Sequence, residues 1–338
     1  MLRRDDALVT PPIDDRKLYD VIATKHALPS LVVAVEIGLF ELLAKRPRTT
    51  DEIAEELNIQ PRAAAAIVCV VASLGFLSSH EDDCFRLTQV AQTYLLADSE
   101  YYRAGLGRYD SPELHQLRHA IRAHDPVQPF AVKMGDLPDE EIESFIATMH
   151  AMTLPAASSL SEQPVFDRIS RLLDVGGGSG SLCMAIATRR NHIRCTIMDL
   201  APVCRIAQRN TKAHGLQRQI ETLTGDMFQD PWPGDFDGVL FGNIFHDWDL
   251  KSCRFLARQA FDALEPGGVI CLHEMLLNER RDGPWTVACF SITMLLHEKG
   301  KQFTADELED LLSDAGFNDF QVTPTFGYYS LVTATKGE

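Results

Sequence analysis

The run Asp174-Val175-Gly176-Gly177-Gly178-Ser179-Gly180 can bring backbone close to a ligand, because glycine lets amides and carbonyls approach where a Cβ would intervene. Asp199 follows 25 positions after Asp174, at the spacing from which a carboxylate can accept both hydrogen bonds of a ribose diol. Gly225-Asp226-Met227-Phe228 then sets a carboxylate beside two apolar side chains, which suits an adenine amino group and its ring faces. Further on, Gly242-Asn243-Ile244-Phe245-His246-Asp247-Trp248-Asp249 carries a histidine, whose imidazole titrates near ~6.5 and can take a proton at neutral pH.

These residues need a scaffold that places them at one edge. RLLDV, RCTIMDL, IETLTGD, DGVLFGN and VICLHEM read as strands, with helices from Ser181, up to His214 and from Lys251 to Leu264 between them. NDFQV and YYSLVTAT close the chain as two more strands. Alternating strands and helices predict an α/β fold with a mostly parallel, Rossmann-like sheet and right-handed crossovers. The glycine loop and both aspartates then fall at the carboxyl ends of three successive strands, and His246 follows the fourth, where open α/β sheets bind ligands. The loop spacing is G-x-G-x-G. A dinucleotide fingerprint would need glycine where the chain has Ser181, which argues against a nicotinamide-dependent oxidoreductase. S-adenosylmethionine fits better, being a cationic sulfonium with no pyrophosphate to seat on a helix end.

Ahead of this half the texture is helical. Residues 1–160 are expected to form a mainly helical domain and 161–338 the cofactor-binding domain. The first dozen residues read as a tail, and 15–45 as two helices interrupted near Pro29. Thr50 opens one helix and Pro61 another that ends at Gly75. FLSS and CFRLT flank a turn at residues 80–83, which completes a winged-helix pattern. Loops are expected at residues 126–129 and at Pro138. A winged helix invites DNA binding, yet PRAAAAIVCVVASL offers only Arg62 for a phosphate. Alanine and branched aliphatics there suit packing against another helix or subunit. With 32 Lys+Arg against 48 Asp+Glu, the formal charge of −16 also opposes nucleic acid and anionic membranes as partners.

The eight cysteines are scattered without a C-x-x-C pair and read as buried thiols of a reducing cytoplasm. No stretch reaches the ~18–20 uninterrupted apolar residues of a membrane span, and the most apolar, residues 28–43, reads as a core helix.

DVGGGSG, MDL with Leu200, GDMF, the run 242–249 and EPGGVI together resemble the small-molecule O-methyltransferases related to caffeic-acid, hydroxyindole and bacterial polyketide or phenazine tailoring enzymes. The resemblance spans essentially the whole chain. It implies a class I methyltransferase fold, S-adenosylmethionine as methyl donor and a homodimer interlocked through the N-terminal domain. It also implies a deep substrate pocket between two domains. His246 would be the general base toward an acceptor hydroxyl in secondary metabolism, and Glu274 the carboxylate that orients it. Asp174, Gly176, Gly178, Gly180, Asp199, Leu200, Gly225, Asp226, Met227, Phe228 and Asn243 would hold the cofactor.

The chain departs from the family at two places. Gly242 stands where plant relatives have lysine, and Gln302 near where a third carboxylate falls, with Glu298 close by. Phe145, Met149, Met152, Phe290 and Met294 are candidates to line the acceptor pocket. His150 and Arg108-Tyr109-Asp110 could meet an acceptor carboxylate or a partner subunit. A second resemblance competes. His246, Asp247 and His297 form the two-histidine, one-carboxylate set used for Fe or Zn, as in bacterial C-methyltransferases acting on the β-carbon of 2-oxo acids.

Overall fold

The computed structural model describes residues 10–79, 84–122, 134 and 137–337. These fall into two compact units that interleave along the chain. One takes Asp15–Pro129 and Leu276–Asp306, and the other Met1–Asp14, Phe130–Met275 and Glu307–Glu338.

The first unit is mainly helical. Helix α1 (Arg16–Glu36) runs through Pro29 without a break, so the expected interruption there is not seen. Proline removes one backbone donor, while Ser30 Oγ donates to His26 O at 2.8 Å, so a carbonyl of that turn gains a partner. The break comes at Gly38, whose φ of +78° is one that L side chains rarely adopt, and α2 (Leu39–Lys45) follows it. Helix α3 (Thr50–Leu57) starts at Thr50 as expected and is capped by Thr49. Its hydroxyl accepts from Glu52 N while Glu52 Oε2 accepts from Thr49 N, a complete capping box. Pro61 opens α4 (Pro61–Ser73), nine of whose thirteen residues are buried. Strands β1 (Leu77–Ser79) and β2 (Phe85–Leu87) pair antiparallel, and the expected turn at 80–83 lies outside the described residues. Helices α5 (Gln89–Tyr94) and α6 (Pro112–Ala120) complete this stretch. Residues 1–9 of the expected twelve-residue tail and the loop at 126–129 also lie outside the described residues.

The second unit opens on α7 (Asp139–Ser161), with Pro138 at its N-cap. Strands and helices then alternate as β3 (Arg171–Val175), α8 (Ser181–Arg189), β4 (Arg194–Asp199), α9 (Ala201–Ala213) and β5 (Ile220–Thr224). They continue with β6 (Phe236–Gly242), α10 (Leu250–Ala263) and β7 (Leu264–Met275). Helix α11 (Trp285–His297) belongs to the first unit, after which come α12 (Ala305–Ala315), β8 (Phe317–Pro324) and β9 (Tyr329–Lys336). The sheet order is β5-β4-β3-β6-β7-β9-β8. The first five strands are parallel, and β9 joins β7 and β8 antiparallel. Leu172, Leu173, Asp174 and Val175 are all buried, as a central parallel strand covered on both faces requires. The chain leaves β3 toward β4 on one side and returns to β6 on the other. The carboxyl ends of β3 and β6 therefore flank the switch point where such sheets open a crevice.

In the first unit α4 and α11 pack closely. Arg62 is not directed outward from α4. Its guanidinium donates to the carbonyls of Met294, Leu295, Glu298 and Gly300, at and just beyond the end of α11. The one cation the sequence offers for a phosphate on α4 thus satisfies carbonyls that a helix terminus leaves without partners. Among the described residues α1 alone is long and apolar enough to cross a membrane, and half of that stretch is buried.

Candidate active site

The glycine loop leaves β3 in conformations that side chains resist. Gly176, Gly178 and Gly180 have φ of +67°, +57° and +80°. A Cβ on Gly176 would stand 2.5 Å from Ile244 Cδ1, so the loop backbone lies directly against the Ile244 side chain after β6. Asp199, ending β4, binds this loop: Oδ2 accepts from Gly178 N at 2.9 Å and Oδ1 from Leu200 N at 2.7 Å. Burial pushes its carboxyl up to about 6 against the lowering effect of those two amides. Asp174 is fully buried and pushed up to about 7, with the Cys183 thiol donating to Oδ2 at 3.2 Å and the nearby Asp199 adding a smaller push. Its Oδ1 is buried without a hydrogen-bond partner.

Gly225 N donates to Asp199 O at 3.0 Å, which joins the third strand end to the second. Asp226 closes a tight turn, accepting from Phe228 N at 2.8 Å and Gln229 Nε2 at 2.6 Å. Trp232 Nε1 donates to Met227 O at 3.0 Å and pins the backbone there. The Phe228 ring meets Trp248 edge-on at 4.5 Å and stacks on Phe255 at 6.0 Å. Trp248 and Phe255 thus belong to this aromatic wall. The sequence signal for Trp248 was its place in the HDW run; Phe255 had none.

Beyond β6 the backbone turns sharply. Asn243 has φ +57°, donates its N–H to His273 O at 3.1 Å, and buries an Oδ1 without a hydrogen-bond partner. A short 3-10 turn over Phe245–Asp247 presents His246. Its Nδ1 stands 2.6 Å from Glu274 Oε2, and its Nε2 3.3 Å from Asp247 Oδ1. Glu274, at the end of β7, is 2% exposed. Its Oε1 accepts from Ile244 N at 3.1 Å and Phe245 N at 3.0 Å. Burial pushes Asp247 up to about 6; His246 pulls it down and Glu274 pushes it up by smaller amounts.

The structure thus brings Asp174, the glycine loop, Asp199, Asp226 and the Asn243–Asp247 turn to the carboxyl ends of β3 to β6. The residues fit a cationic, ribose-bearing cofactor. The loop is a cradle that a Cβ would fill at Gly176 and Gly180, Asp174 keeps a buried acceptor atom without a hydrogen-bond partner, and Asp199 sets a carboxylate against the loop. Leu200 is the N-cap of α9, and Phe145 packs beside it against Ile142, Ile146, Val203 and Ile206. Met149 is half-buried on α7. Met294, Phe290 and His297 lie on α11 in the other unit, where Phe290 tilts against Tyr19 at 5.9 Å. His26 Nε2 is 3.1 Å from Thr293 Oγ1, and burial lowers His26 to about 4. Among the described residues no three His, Cys, Asp or Glu side chains are grouped to hold a metal ion.

A family model of the O-methyltransferase domain matches residues 128–318, and one of the O-methyltransferase dimerisation domain matches residues 22–97. The chain is 31% identical over 318 residues to 3-hydroxy-5-methyl-1-naphthoate 3-O-methyltransferase of Streptomyces sahachiroi, which covers 92% of each chain. It is 28% identical over 314 residues to tetracenomycin polyketide synthesis 8-O-methyl transferase TcmO of Streptomyces glaucescens, covering 91% of this chain and 92% of the relative. Among solved structures, an O-methyltransferase family 2 protein from Planctomyces limnophilus in complex with apigenin has the same fold. It superposes with a TM-score of 0.90 at 24% identity, over 99% of this chain and 100% of that one.

Proposed function

The chain belongs to the O-methyltransferase family, and from that premise we propose how its own residues carry the reaction. It is an S-adenosylmethionine-dependent methyltransferase for small secondary metabolites. The acceptor atom in this proposal is a phenolic hydroxyl oxygen, a choice supported by the hydroxynaphthoate and tetracenomycin named in its relatives. The observation that carries the mechanism is the 2.6 Å contact between His246 Nδ1 and Glu274 Oε2.

A carboxylate there accepts the Nδ1 proton, so the basic lone pair of the neutral ring lies on Nε2. Nε2 then takes the proton of the acceptor hydroxyl, which at a pKa near ~10 is a weak nucleophile until it loses it. The imidazolium formed lies between two carboxylates, Glu274 at 2.6 Å and Asp247 at 3.3 Å, which stabilise its charge. The bound cofactor supplies an electrophilic methyl group on a cationic sulfonium. Asp199 receives its ribose diol, Asp226 with Met227 and Phe228 its adenine, and Asp174 with Asn243 and the loop of Gly176, Gly178 and Gly180 its amino-acid end. Gly225 and Leu200 shape the backbone between these carboxylates. Met149, Phe145 and Met294 remain the proposed acceptor contacts.

The proposed division of labour places dimerisation and pocket closing in residues 1–160 and cofactor binding with catalysis in 161–338. The dimerisation model at 22–97 supports the first part. Its partner is a second copy of the chain, docked in part through α1, where Leu18, Val21, Ile22 and Leu28 form an exposed apolar stripe at helical spacing. Cytoplasmic residence is part of the same reading, supported by eight scattered cysteines of which seven are buried.

The test is transfer of labelled methyl from S-adenosylmethionine to a panel of phenols and 2-oxo acids, with and without chelator. Labelling of phenols that ignores chelator is expected. Labelling of a 2-oxo acid that stops with chelator and returns with Fe or Zn would overturn the base mechanism.

A further inference from the structure

Gly176–Gly180 contains one side chain, Ser179. Glycines on either side of it hold left-handed φ, so this segment has more backbone freedom to lose than any other part of the site. Ser179 is 5% exposed and is held from two directions. Its Oγ lies 2.8 Å from His150 Nδ1 on α7, and its carbonyl accepts from Asn210 Nδ2 on α9 at 3.1 Å. The Asn210 carbonyl in turn lies 2.8 Å from His214 Nδ1. Burial lowers the His150 pKa, with a smaller push from His214, which favours the neutral ring.

We propose that His150 is a positioning residue for cofactor binding. Through Ser179 it fixes the glycine loop in the conformation that keeps Gly178 N on Asp199. In this role its effect passes through one hydrogen bond, the 2.8 Å contact to Ser179 Oγ. This rests on the reading of the loop as the cofactor cradle.

The experiment is calorimetric titration of the full-length protein with S-adenosylhomocysteine, paired with steady-state kinetics. His150→Ala and Ser179→Ala should each weaken binding about threefold to tenfold, the size of one buried hydrogen bond. The double variant should be no weaker than either single one, because both remove the same contact. The KM for S-adenosylmethionine should rise in step, while kcat at saturating cofactor stays within about twofold. His150→Asn, which can present an acceptor near the Nδ1 position, should recover most of the affinity. A merely structural role would lower thermal stability without this coupling or rescue. Additive losses in the double variant, or unchanged affinity in Ser179→Ala, overturn the proposal. Asp199→Ala serves as the control. If it too leaves affinity unchanged, the cradle reading fails; if it weakens binding while His150→Ala does not, only the role of His150 fails.

Discussion

Glu274 grips His246 with one carboxylate oxygen and the turn that carries His246 with the other. Oε2 stands 2.6 Å from His246 Nδ1, while Oε1 accepts the N–H groups of Ile244 and Phe245. One buried side chain therefore sets the tautomer of the imidazole and the path of the backbone that presents it. Positions at the carboxyl ends of neighbouring parallel strands β6 and β7 make this possible.

Replacing His246 by Ala should cut kcat by about 10²–10⁴-fold, the range of a lost general base. Affinity for S-adenosylhomocysteine should change by less than about twofold. Glu274→Gln keeps an oxygen for the two amides and loses the anion behind the ring, so kcat should fall by about 10–100-fold. Single-turnover rates and calorimetry on the same preparations check both. An equal loss of cofactor affinity in His246→Ala would place that residue at the wrong ligand.

Asp199→Ala should do the reverse. It removes the acceptor for a diol and the anchor of Gly178 N, and hydrogen bonds to a charged group are worth about 1.5–3 kcal/mol each. Cofactor affinity should drop at least about tenfold, while kcat at saturation changes little. Unchanged binding would remove the ribose assignment.

Asp174 gives a pH dependence of defined sign. Burial raises its carboxyl from 3.8 to about 7, so between those values the folded, ligand-free protein binds a proton that the unfolded chain has released. The stability it contributes is fully present below pH 3.8 and is lost as pH rises through about 7. Asp174→Asn should flatten that part of a melting-temperature profile. A cationic ligand favours the ionised carboxylate, so binding of S-adenosylmethionine near pH 6–7 should release protons, detected by calorimetry in buffers of different ionisation enthalpy. A profile identical in wild type and Asp174→Asn would show that the carboxyl ionises normally.

Arg62→Ala should destabilise the protein by about 2–3 kcal/mol, because carbonyls at the end of α11 lose a charged donor. Arg62→Lys should recover only part of this, since an ammonium cannot reproduce a planar fork of donors. Chemical denaturation monitored by circular dichroism measures both changes, and a neutral Arg62→Ala would show that water replaces the guanidinium.

The glycine loop, Asp199, Asp226 and His246 were legible in the sequence because strand ends in an alternating α/β pattern mark one edge, and the residues able to do chemistry recur there. Glu274 could be picked out only through family resemblance; the short contact to His246 is a property of register between β6 and β7. Pro29 misled because a proline costs one backbone donor, and surrounding packing can absorb that cost. Arg62 and His150 were the hardest to read. Arg62 satisfies carbonyls more than 230 positions away, and His150 binds a serine 29 positions on, with no local pattern to announce either contact.

The return of Leu276–Asp306 to the helical unit has a consequence for how such proteins can be recombined. Helix α11 packs against α1 and α4, which precede the whole of β3 to β7 in the chain. A chimera cut once near residue 160 would join α11 to a foreign α1 and α4, and the carbonyls now held by Arg62 would meet whatever stands there instead. An exchange that preserves the helical unit must carry two separate stretches of coding sequence together, so the surface of α11 is inherited with the N-terminal helices and not with the sheet that precedes it in the chain.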